Sequence, residues 1–410
     1  MTSPTGEVLG GFFFGHPQPD RFTERHERLA VGVAAQAAIA MDNARLYQRQ
    51  RTAAVELQRS LLPRIPAAHG LEITSRYLPA AHAAEVGGDW VDVISLSSGR
   101  YGLVVRDVMG KGMHAAAVMG QLRTAIRAYA ALELPPGQLL RQVNTTAAVL
   151  DESEIATCQY AVLDTVNQSL TFANAGHLPP VLRLAGGDVR LLEQHVGPPL
   201  GVTDTPYAAH TVEMPAGSVL LLYTDGLVER RTRHIDHQLR HLASQVHDQA
   251  FGPTEDAVDR LLSAIVDTGR HNDDIALLAV RQLPAEVPES HTLELTAHAQ
   301  SSGLARGFAR QRLADWGADE AQIDAGIMVV SELVANAVQH ARTSQVQLRL
   351  HRLAVEVVDQ DARQPLLTEA DADDEHHRGL HLVQAHSLRW GTRPIKAGKV
   401  VWAELPFPRP

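Results

Sequence analysis

The sequence predicts an α+β protein of more than one domain. Its 410 residues exceed the usual size of one domain, so two or three domains are expected. Short apolar runs of strand length are interspersed with longer segments of helical period, as in mixed folds. A single cysteine excludes a disulfide scaffold and is compatible with a reducing cytoplasm.

The first sixty residues contain too few predicted elements to form a hydrophobic core of their own. Residues 10–15 predict a short strand and residues 21–47 a helix with a small apolar seam, which a helical stretch over 49–62 continues. This segment resembles the last strand and last helix of a GAF sensor domain. One strand and one helix cannot bury a core alone, so either the chain is a fragment or the segment pairs with a second copy as a homodimer; the first is preferred.

The central region predicts strands and helices in alternation. Apolar runs predict strands over 102–106, 159–163, 170–173, 181–184, 219–223 and 275–280. Helices are predicted over 113–132, 136–152 and 254–268.

Four aspartates stand next to apolar runs in this region, namely Asp89, Asp107, Asp225 and Asp273. Strands that stop on an acid beside glycine can bring hard oxygen ligands to one end of a sheet, as Mg²⁺ or Mn²⁺ requires. Any one of these acids alone is more often a solvated turn residue. The order and context of the four favour a carboxylate metal site.

The surrounding motifs carry a resemblance to a known family. Asp107 opens the turn Asp-Val-Met-Gly-Lys-Gly before a helix, and residues 173–180 read Ala-Asn-Ala-Gly-His-Leu-Pro-Pro. Over about half of the chain these segments resemble the PPM class of serine/threonine phosphatases, in its SpoIIE-like branch. The resemblance implies two packed antiparallel sheets flanked by helices.

The same resemblance implies a metal site and a reaction. It places two Mn²⁺ or Mg²⁺ ions on Asp89, Asp107, Asp225 and Asp273, assisted by the backbone carbonyl of Val108. Water activated by the ions would attack phosphoserine or phosphothreonine in line, without a protein nucleophile.

Three other residues in this region leave alternatives open. Arg106 could face the substrate phosphate, but an outward orientation is favoured. His177 could act as a general acid or fix a turn by hydrogen bonding, and it stays outside the catalytic set. Cys158 lies in an apolar strand and is expected to be a packed core thiol. His237 and His241 have the spacing of metal ligands but are expected to form a solvated stripe.

A second set of polar residues lies near the C-terminus. Glu332, Asn336 and His340 are spaced by four, so one helical face presents them. Further on come a strand that ends at Asp359 and the pair Arg378-Gly379 before another helix. These residues resemble the GHKL-type ATP-binding fold of the anti-sigma serine kinases, an α/β sandwich.

The resemblance implies ATP with Mg²⁺ in this region, bound by Asn336, Asp359, Arg378 and Gly379, with Glu332 as general base of a serine kinase. The sequence departs from the family where it lacks the glycines after the adenine-binding acid and carries an acidic run over 371–375. The missing glycines disfavour phosphate binding, because glycine allows the close backbone approach that a phosphate needs. The acidic run disfavours it because its negative charges repel a triphosphate.

Together these expectations divide the chain into five parts. They are a GAF-like remnant over 1–47, a helical linker over 48–68, the phosphatase over 69–283, a linker over 284–291 and the ATP-binding unit over 292–407. A net charge of −10 argues against nucleic acid as a partner, and no run of about eighteen apolar residues predicts a membrane span.

The expected function is dephosphorylation of an anti-anti-sigma (STAS-type) protein in the cytoplasm, which would release a sigma factor from its anti-sigma kinase. In the main alternative the C-terminal domain is a non-catalytic module that binds a sigma factor or an antagonist. A third alternative is a phosphatase for a small phosphorylated metabolite.

Overall fold

The computed structural model describes the chain except for residues 3–5, 20, 62–64, 67, 69, 81–87, 109–112, 151–154, 204, 230–233, 250–251, 267–272, 285–289, 299, 341–343, 352–353, 364–378, 396–397 and 407–410. Its helices are α1 Glu24–Leu61, α2 Met113–Ala131, α3 Pro136–Leu150, α4 Ile235–Asp248, α5 Thr254–Ile265, α6 Ser301–Asp315, α7 Glu320–His340 and α8 Gly379–His386.

Sixteen strands are formed by the described residues. They are β1 Leu71–Leu78, β2 Trp90–Ser95, β3 Arg100–Val108, β4 Ala156–Asp164, β5 Ser169–Ala175, β6 Val181–Arg183, β7 Val189–Leu191, β8 Val196–Gly197, β9 His210–Glu213, β10 Val219–Tyr223, β11 Ile275–Gln282, β12 His291–Thr296, β13 Gln345–His351, β14 Ala354–Asp359, β15 Arg389–Ile395 and β16 Gly398–Glu404.

Two sheets form the central region. The first has the order β1-β11-β10-β6-β7, and the second has the order β2-β3-β4-β5-β8 with β9 also paired to β5. Every pair is antiparallel except β5 with β8. The predicted two-sheet architecture is therefore confirmed.

Strand alternation produces three apolar layers around these sheets. One face of each sheet contributes to a shared core that includes Leu103, Phe172 and Leu278. The outer face of the second sheet packs on α2 and α3, and the outer face of the first packs on α4 and α5. The result is a helix–sheet–sheet–helix sandwich, because each strand places successive side chains on opposite faces.

A third sheet lies in the C-terminal region, with the order β12-β13-β14-β16-β15. One face packs on α6, α7 and α8. Among the described helices α7 alone has the length and apolar composition of a membrane span. Its apolar residues Val330, Leu333 and Val334 are buried against this sheet, as in the core helix of a globular domain.

The sequence predicted most of the central elements within two or three residues and missed several edge strands. The predicted strand over 10–15 is wrong: these residues form no strand, and Phe13 is almost fully exposed. A strand needs a neighbouring strand for its backbone groups, and among the described residues no strand pairs with this run. The predicted helices over 21–47 and 49–62 form one continuous helix, α1, and most of its apolar seam is exposed.

Candidate active site

The four predicted aspartates come together where strands of the two central sheets end. Asp89 directly precedes β2 and Asp107 is the penultimate residue of β3. Asp225 follows β10 in a short 3₁₀ turn, and Asp273 lies two residues before β11. Asp107 interacts electrostatically with both Asp89 and Asp225, and Asp225 also interacts with Asp273. The structure thus brings all four acids into one cluster.

A close contact between two loops of the first sheet positions Asp225 and Asp273. A Cβ atom on Gly226 would lie 2.1 Å from the carbonyl oxygen of Asp274, so a larger residue would separate the loops. The hydroxyl of Thr224 accepts a hydrogen bond from the Ala276 amide at 2.9 Å, and the Asp274 carboxylate accepts one from the Ala80 amide at 2.7 Å. These bonds hold the acidic loops at fixed separation.

The crowding of carboxylates raises their proton affinity. Burial first, and then the charge of Asp107, raise the pKa of Asp89 well above its usual range. Burial and the charges of Asp107 and Asp273 raise the pKa of Asp225 to about 7. A bound cation would relieve both effects, because it favours the ionised form of each acid.

The donor set fits a divalent cation. Every polar side-chain atom of the cluster is a hard carboxylate oxygen, and Oδ2 of Asp89 is buried without a hydrogen-bond partner among the described residues. Among the described residues, no group of three or more acidic, histidine or cysteine side chains is spaced so that it could hold a metal ion as it stands. Val108, whose backbone carbonyl was predicted to assist in metal binding, is the last residue of β3.

His177 links the two sheets beneath the acids. Its Nε2 lies 3.0 Å from the carbonyl oxygen of Tyr223, and its Nδ1 lies 2.6 Å from the hydroxyl of Thr157. A carbonyl only accepts, so Nε2 carries the hydrogen and Nδ1 accepts from Thr157. Thr157 pairs with Asp107 in the second sheet, and Tyr223 lies two residues before Asp225 in the first.

The buried environment keeps this histidine neutral. Burial lowers the pKa of His177, although its bond to Tyr223 and the charge of Asp107 act in the opposite direction. Both ring nitrogens face protein groups rather than the acid cluster. The arrangement is that of a positioning residue, and it favours the hydrogen-bonding interpretation over that of a general acid.

Sequence analysis did not assign a role to Asp92, which ties α2 to the strand that follows Asp89. Its carboxylate is fully buried and accepts two hydrogen bonds from Arg127, both of 2.7 Å, and one from Arg123 of 3.3 Å. The two arginines are four residues apart on α2, so one helical face presents both. This spacing of the two arginines is visible in the sequence, but only the fold shows that both side chains face Asp92.

Arg106 differs from the favoured prediction. It is fully buried, so the outward orientation is wrong. Strand alternation places it on the side of Val104, which packs under α2 and α3, and β3 is a central strand covered by those helices. Its charge acts on Cys158 in the neighbouring strand. Cys158 is the buried core thiol that was predicted, and burial raises its pKa to about 12.

The predicted nucleotide residues are arranged around α7. Glu332 and Asn336 lie on this helix, and a Cβ atom on Gly379 at the start of α8 would be 2.6 Å from a carboxylate oxygen of Glu332. Arg378 lies outside the described residues. His237, by contrast, is exposed on α4, as expected for a solvated stripe.

Asp359 is the last residue of β14, and the two oxygens of its carboxylate have different surroundings. Its Oδ1 accepts a hydrogen bond from the buried ammonium group of Lys399 at 2.9 Å, a contact that the sequence did not reveal. Its Oδ2 is buried without a hydrogen-bond partner among the described residues. The second oxygen of this carboxylate is therefore not paired by any described residue.

Comparisons with known proteins agree with this two-part organisation. The family model described as "Stage II sporulation protein E (SpoIIE)" matches residues 97–283, and the model described as "Histidine kinase-like ATPase domain" matches residues 295–403. The first span contains three of the four clustered acids, and the second contains Glu332, Asn336, Asp359 and Gly379.

Relatives of known name share these domains. The phosphoserine phosphatase RsbU of Bacillus subtilis is 23% identical over 235 residues, which cover 56% of this chain and 69% of RsbU. The phosphoserine phosphatase RsbP of the same organism is 23% identical over 189 residues, covering 45% of each. The chain spans about half the length of the curated relatives it matches.

One solved structure resembles most of the chain. The crystal structure of the RsbU and RsbW domains of a Mycobacterium tuberculosis protein is 28% identical and has a TM-score of 0.50. The match covers 83% of this chain and 94% of that one. The similarity therefore extends over both matched regions of this chain.

Proposed function

Residues 97–283 belong to the SpoIIE family of PP2C-type serine/threonine phosphatases, and on that premise we propose that the chain dephosphorylates a phosphorylated anti-anti-sigma protein. The observation that carries the proposal is the cluster of four aspartates between two sheets. The names of the phosphoserine phosphatases RsbU and RsbP support the choice of a phosphoserine substrate.

The proposed metal ligands are Asp89, Asp107, Asp225 and Asp273, with the Val108 carbonyl, for two Mn²⁺ or Mg²⁺ ions. When bound, the ions would lower the pKa of a water molecule and offset the charge of the phosphoryl oxygens. The protein itself holds the four carboxylates at fixed positions relative to one another. Thr224 and Asp274 fix the loops of the first sheet, and His177 fixes that sheet against the second.

The direct test is phosphate release from a serine-phosphorylated STAS-type protein with and without Mn²⁺. Metal-dependent turnover is expected for the protein substrate, and free phosphoserine should react far more slowly. Equal rates for free phosphoserine and the phosphoprotein would instead support a phosphatase for small metabolites.

His177→Ala is expected to reduce phosphatase turnover about 10- to 100-fold, as loss of a residue that orients metal ligands usually does. The substitution leaves the buried carbonyl of Tyr223 and the hydroxyl of Thr157 without their bonds, which costs about 1–3 kcal/mol for each group. A Mn²⁺ titration of activity should show weaker metal binding in this variant. His247→Ala, at an exposed position on α4, is the control.

Without metal, the protein is expected to lose stability as the pH rises from about 4 to about 7. The pKa of Asp225 is raised from 3.8 to about 7 in the folded state, so the folded protein binds more protons than the unfolded chain in that window. Stability then falls with rising pH. Thermal unfolding in EDTA at several pH values measures this, and Asp225→Asn should flatten the dependence. An unchanged pH dependence in Asp225→Asn would contradict the assignment.

For the C-terminal domain we propose ATP binding with Mg²⁺ through Asn336, Asp359, Arg378 and Gly379, with Glu332 as general base toward a protein serine. The match to the ATPase family and the buried, unpaired Oδ2 of Asp359 support it. The absence of the expected glycines after Asp359 supports the alternative, a module that binds a sigma factor or antagonist without catalysis.

Asp359→Asn is expected to lower the affinity for Mg²⁺-ATP at least about tenfold, because a ligand amino group would lose its bond to a buried carboxylate. Isothermal titration calorimetry on the full chain measures this. Asp361→Asn changes a neighbouring acid paired with Arg363 and is the matched control. No ATP binding by the wild-type protein would favour the non-catalytic module.

The proposed setting is the cytoplasm, with a sigma factor as a further partner of the C-terminal domain. A phosphatase and a kinase on one chain would consume ATP without net effect unless something biases them. We propose that the N-terminal segment sets this balance, through dimerisation of α1 or through a sensor domain. Equal phosphatase and kinase activities before and after removal of this segment would contradict that role.

A further inference from the structure

The C-terminal sheet buries the face that points away from its helices. Val355, Val357 and Ala403 face α6, α7 and α8, so the alternating residues face the other way. On that second face Glu356 is only 2% exposed and Trp402 only 6%. A two-layer α/β domain would leave this face in water, and such burial therefore requires a cover.

An ion pair occupies the centre of the buried face. Arg393 donates two hydrogen bonds to the Glu356 carboxylate, of 2.6 and 2.9 Å, and His351 lies 3.7 Å from the same carboxylate. Burial opposes ionisation, but the nearby His351 and the charge of Arg393 hold the pKa of Glu356 well below its usual range.

The phosphatase domain carries a matching ion pair near the start of β3. The guanidinium of Arg100 contacts the carboxylate of Glu133, and the same carboxylate accepts a hydrogen bond from the Ser97 amide at 2.7 Å. Glu133 is buried and follows α2 in a left-handed backbone conformation. This pair is also complete within its own domain.

The two ion pairs lie against each other. Arg389, at the start of β15, pairs with Glu404 and donates a hydrogen bond to the carbonyl oxygen of Leu96 at 3.4 Å. Burial and the like charge of Arg393 lower the pKa of Arg100, while Glu133 and Glu356 act in the opposite direction. These contacts join residues almost three hundred positions apart in the sequence.

We propose that the face of the C-terminal sheet that points away from its helices is an interface with the phosphatase domain, in which Arg389, Arg393 and Glu356 dock on the turn 96–100 and on Glu133. Each carboxylate is already paired with an arginine of its own domain. Contact between the two domains therefore removes ion pairs, and not single charges, from water. That is the less costly way to bury charge. The polar character is also usual for an interface between domains of one chain.

The interface restricts where other molecules can bind. Because the phosphatase domain covers the sheet, a second copy or a regulatory protein must approach the C-terminal domain through its helices or edges. Strands also lead from the interface to both proposed sites: β3 runs from Arg100 to Asp107, and β14 runs from Glu356 to Asp359.

Hydrogen exchange on the full chain tests the interface without any assay of activity. Arg389→Ala should accelerate exchange in residues 96–101 of the other domain, where the amides of Leu96, Ser97 and Arg100 are hydrogen bonded. Arg389→Glu should accelerate it further, since it places a like charge near Glu133 and Glu404. The side chain of Arg389 is 51% exposed, so both variants should fold.

Arg310→Ala is the matched control, because this arginine is 54% exposed and pairs with acids inside the same domain. It should leave exchange in residues 96–101 unchanged. The proposal is overturned if both Arg389 variants loosen only residues 389–404 and leave residues 96–101 as in the wild type. Since exchange is independent of turnover, that outcome is distinct from failure of the proposed phosphatase function.

Discussion

Asp225→Asn is expected to reduce phosphate release from a phosphoserine protein by at least about 1000-fold. Metal-based charge stabilisation contributes several kcal/mol to phosphoryl transfer, and about 1.4 kcal/mol corresponds to a factor of ten in rate. Asp225 interacts with Asp107 and Asp273, so it lies at the centre of the cluster. The asparagine keeps the shape but loses the charge, and the fold should survive.

Single-turnover kinetics and Mn²⁺ binding by calorimetry should be measured on the same preparation. Asp188→Asn is the control, since Asp188 is an exposed acid of the same domain that pairs with nearby Arg190 at the surface. Asp188→Asn should retain full activity. Normal turnover by Asp225→Asn would mean that the acid cluster is not the active site.

Asp92→Asn is expected to lower the free energy of unfolding by about 3 kcal/mol. Removing one member of a buried ion pair usually costs about this much, because the remaining charge loses its counterion. Arg127 is 43% exposed and recovers some hydration, whereas Arg123, at 17%, recovers less. Chemical denaturation followed by circular dichroism measures the change.

The same substitution is expected to weaken metal binding, since Asp92 ties α2 to β2 three residues after Asp89. The surface pair Asp188–Arg190 again gives the comparison: exposed pairs contribute about 0–1 kcal/mol, so Asp188→Asn should hardly change stability. If Asp92→Asn is as stable as that control, the link between α2 and β2 has no structural role.

The cluster of four aspartates was accessible to sequence reasoning because it depends on local patterns. Apolar runs with acids at their ends predict strands, and strand ends in a layered sheet converge. Residues Val219–Tyr223 were predicted as a strand with the bounds observed. The short strands β7, β8 and β9 were missed, since two to four residues carry too little pattern to distinguish a strand from a turn. The longer strands β1, β2, β12, β13 and β15, of six to eight residues, were also not predicted.

Side chains that act across sheets were not accessible in the same way. The sequence shows Arg106 beside Asp107, but its burial depends on the helices that cover β3. His177 has the same local sequence whether it fixes its own turn or links two sheets. Lys399 and Asp359 are forty residues apart, and only the pairing of β14 with β16 brings them together.

By itself, therefore, the sequence determined the strands β3, β4, β5, β6, β10 and β11 and the identity of the four acids, because strand periodicity is a property of short segments. The two-sheet architecture and the C-terminal ATPase-type domain were expected from the family resemblance that local motifs carry. The tertiary structure alone decided the Asp92 link, the His177 bridge and the contact of Arg389 with Leu96. Each of these joins residues distant in the chain, and their partners are selected by long-range packing, which neither segment specifies by itself.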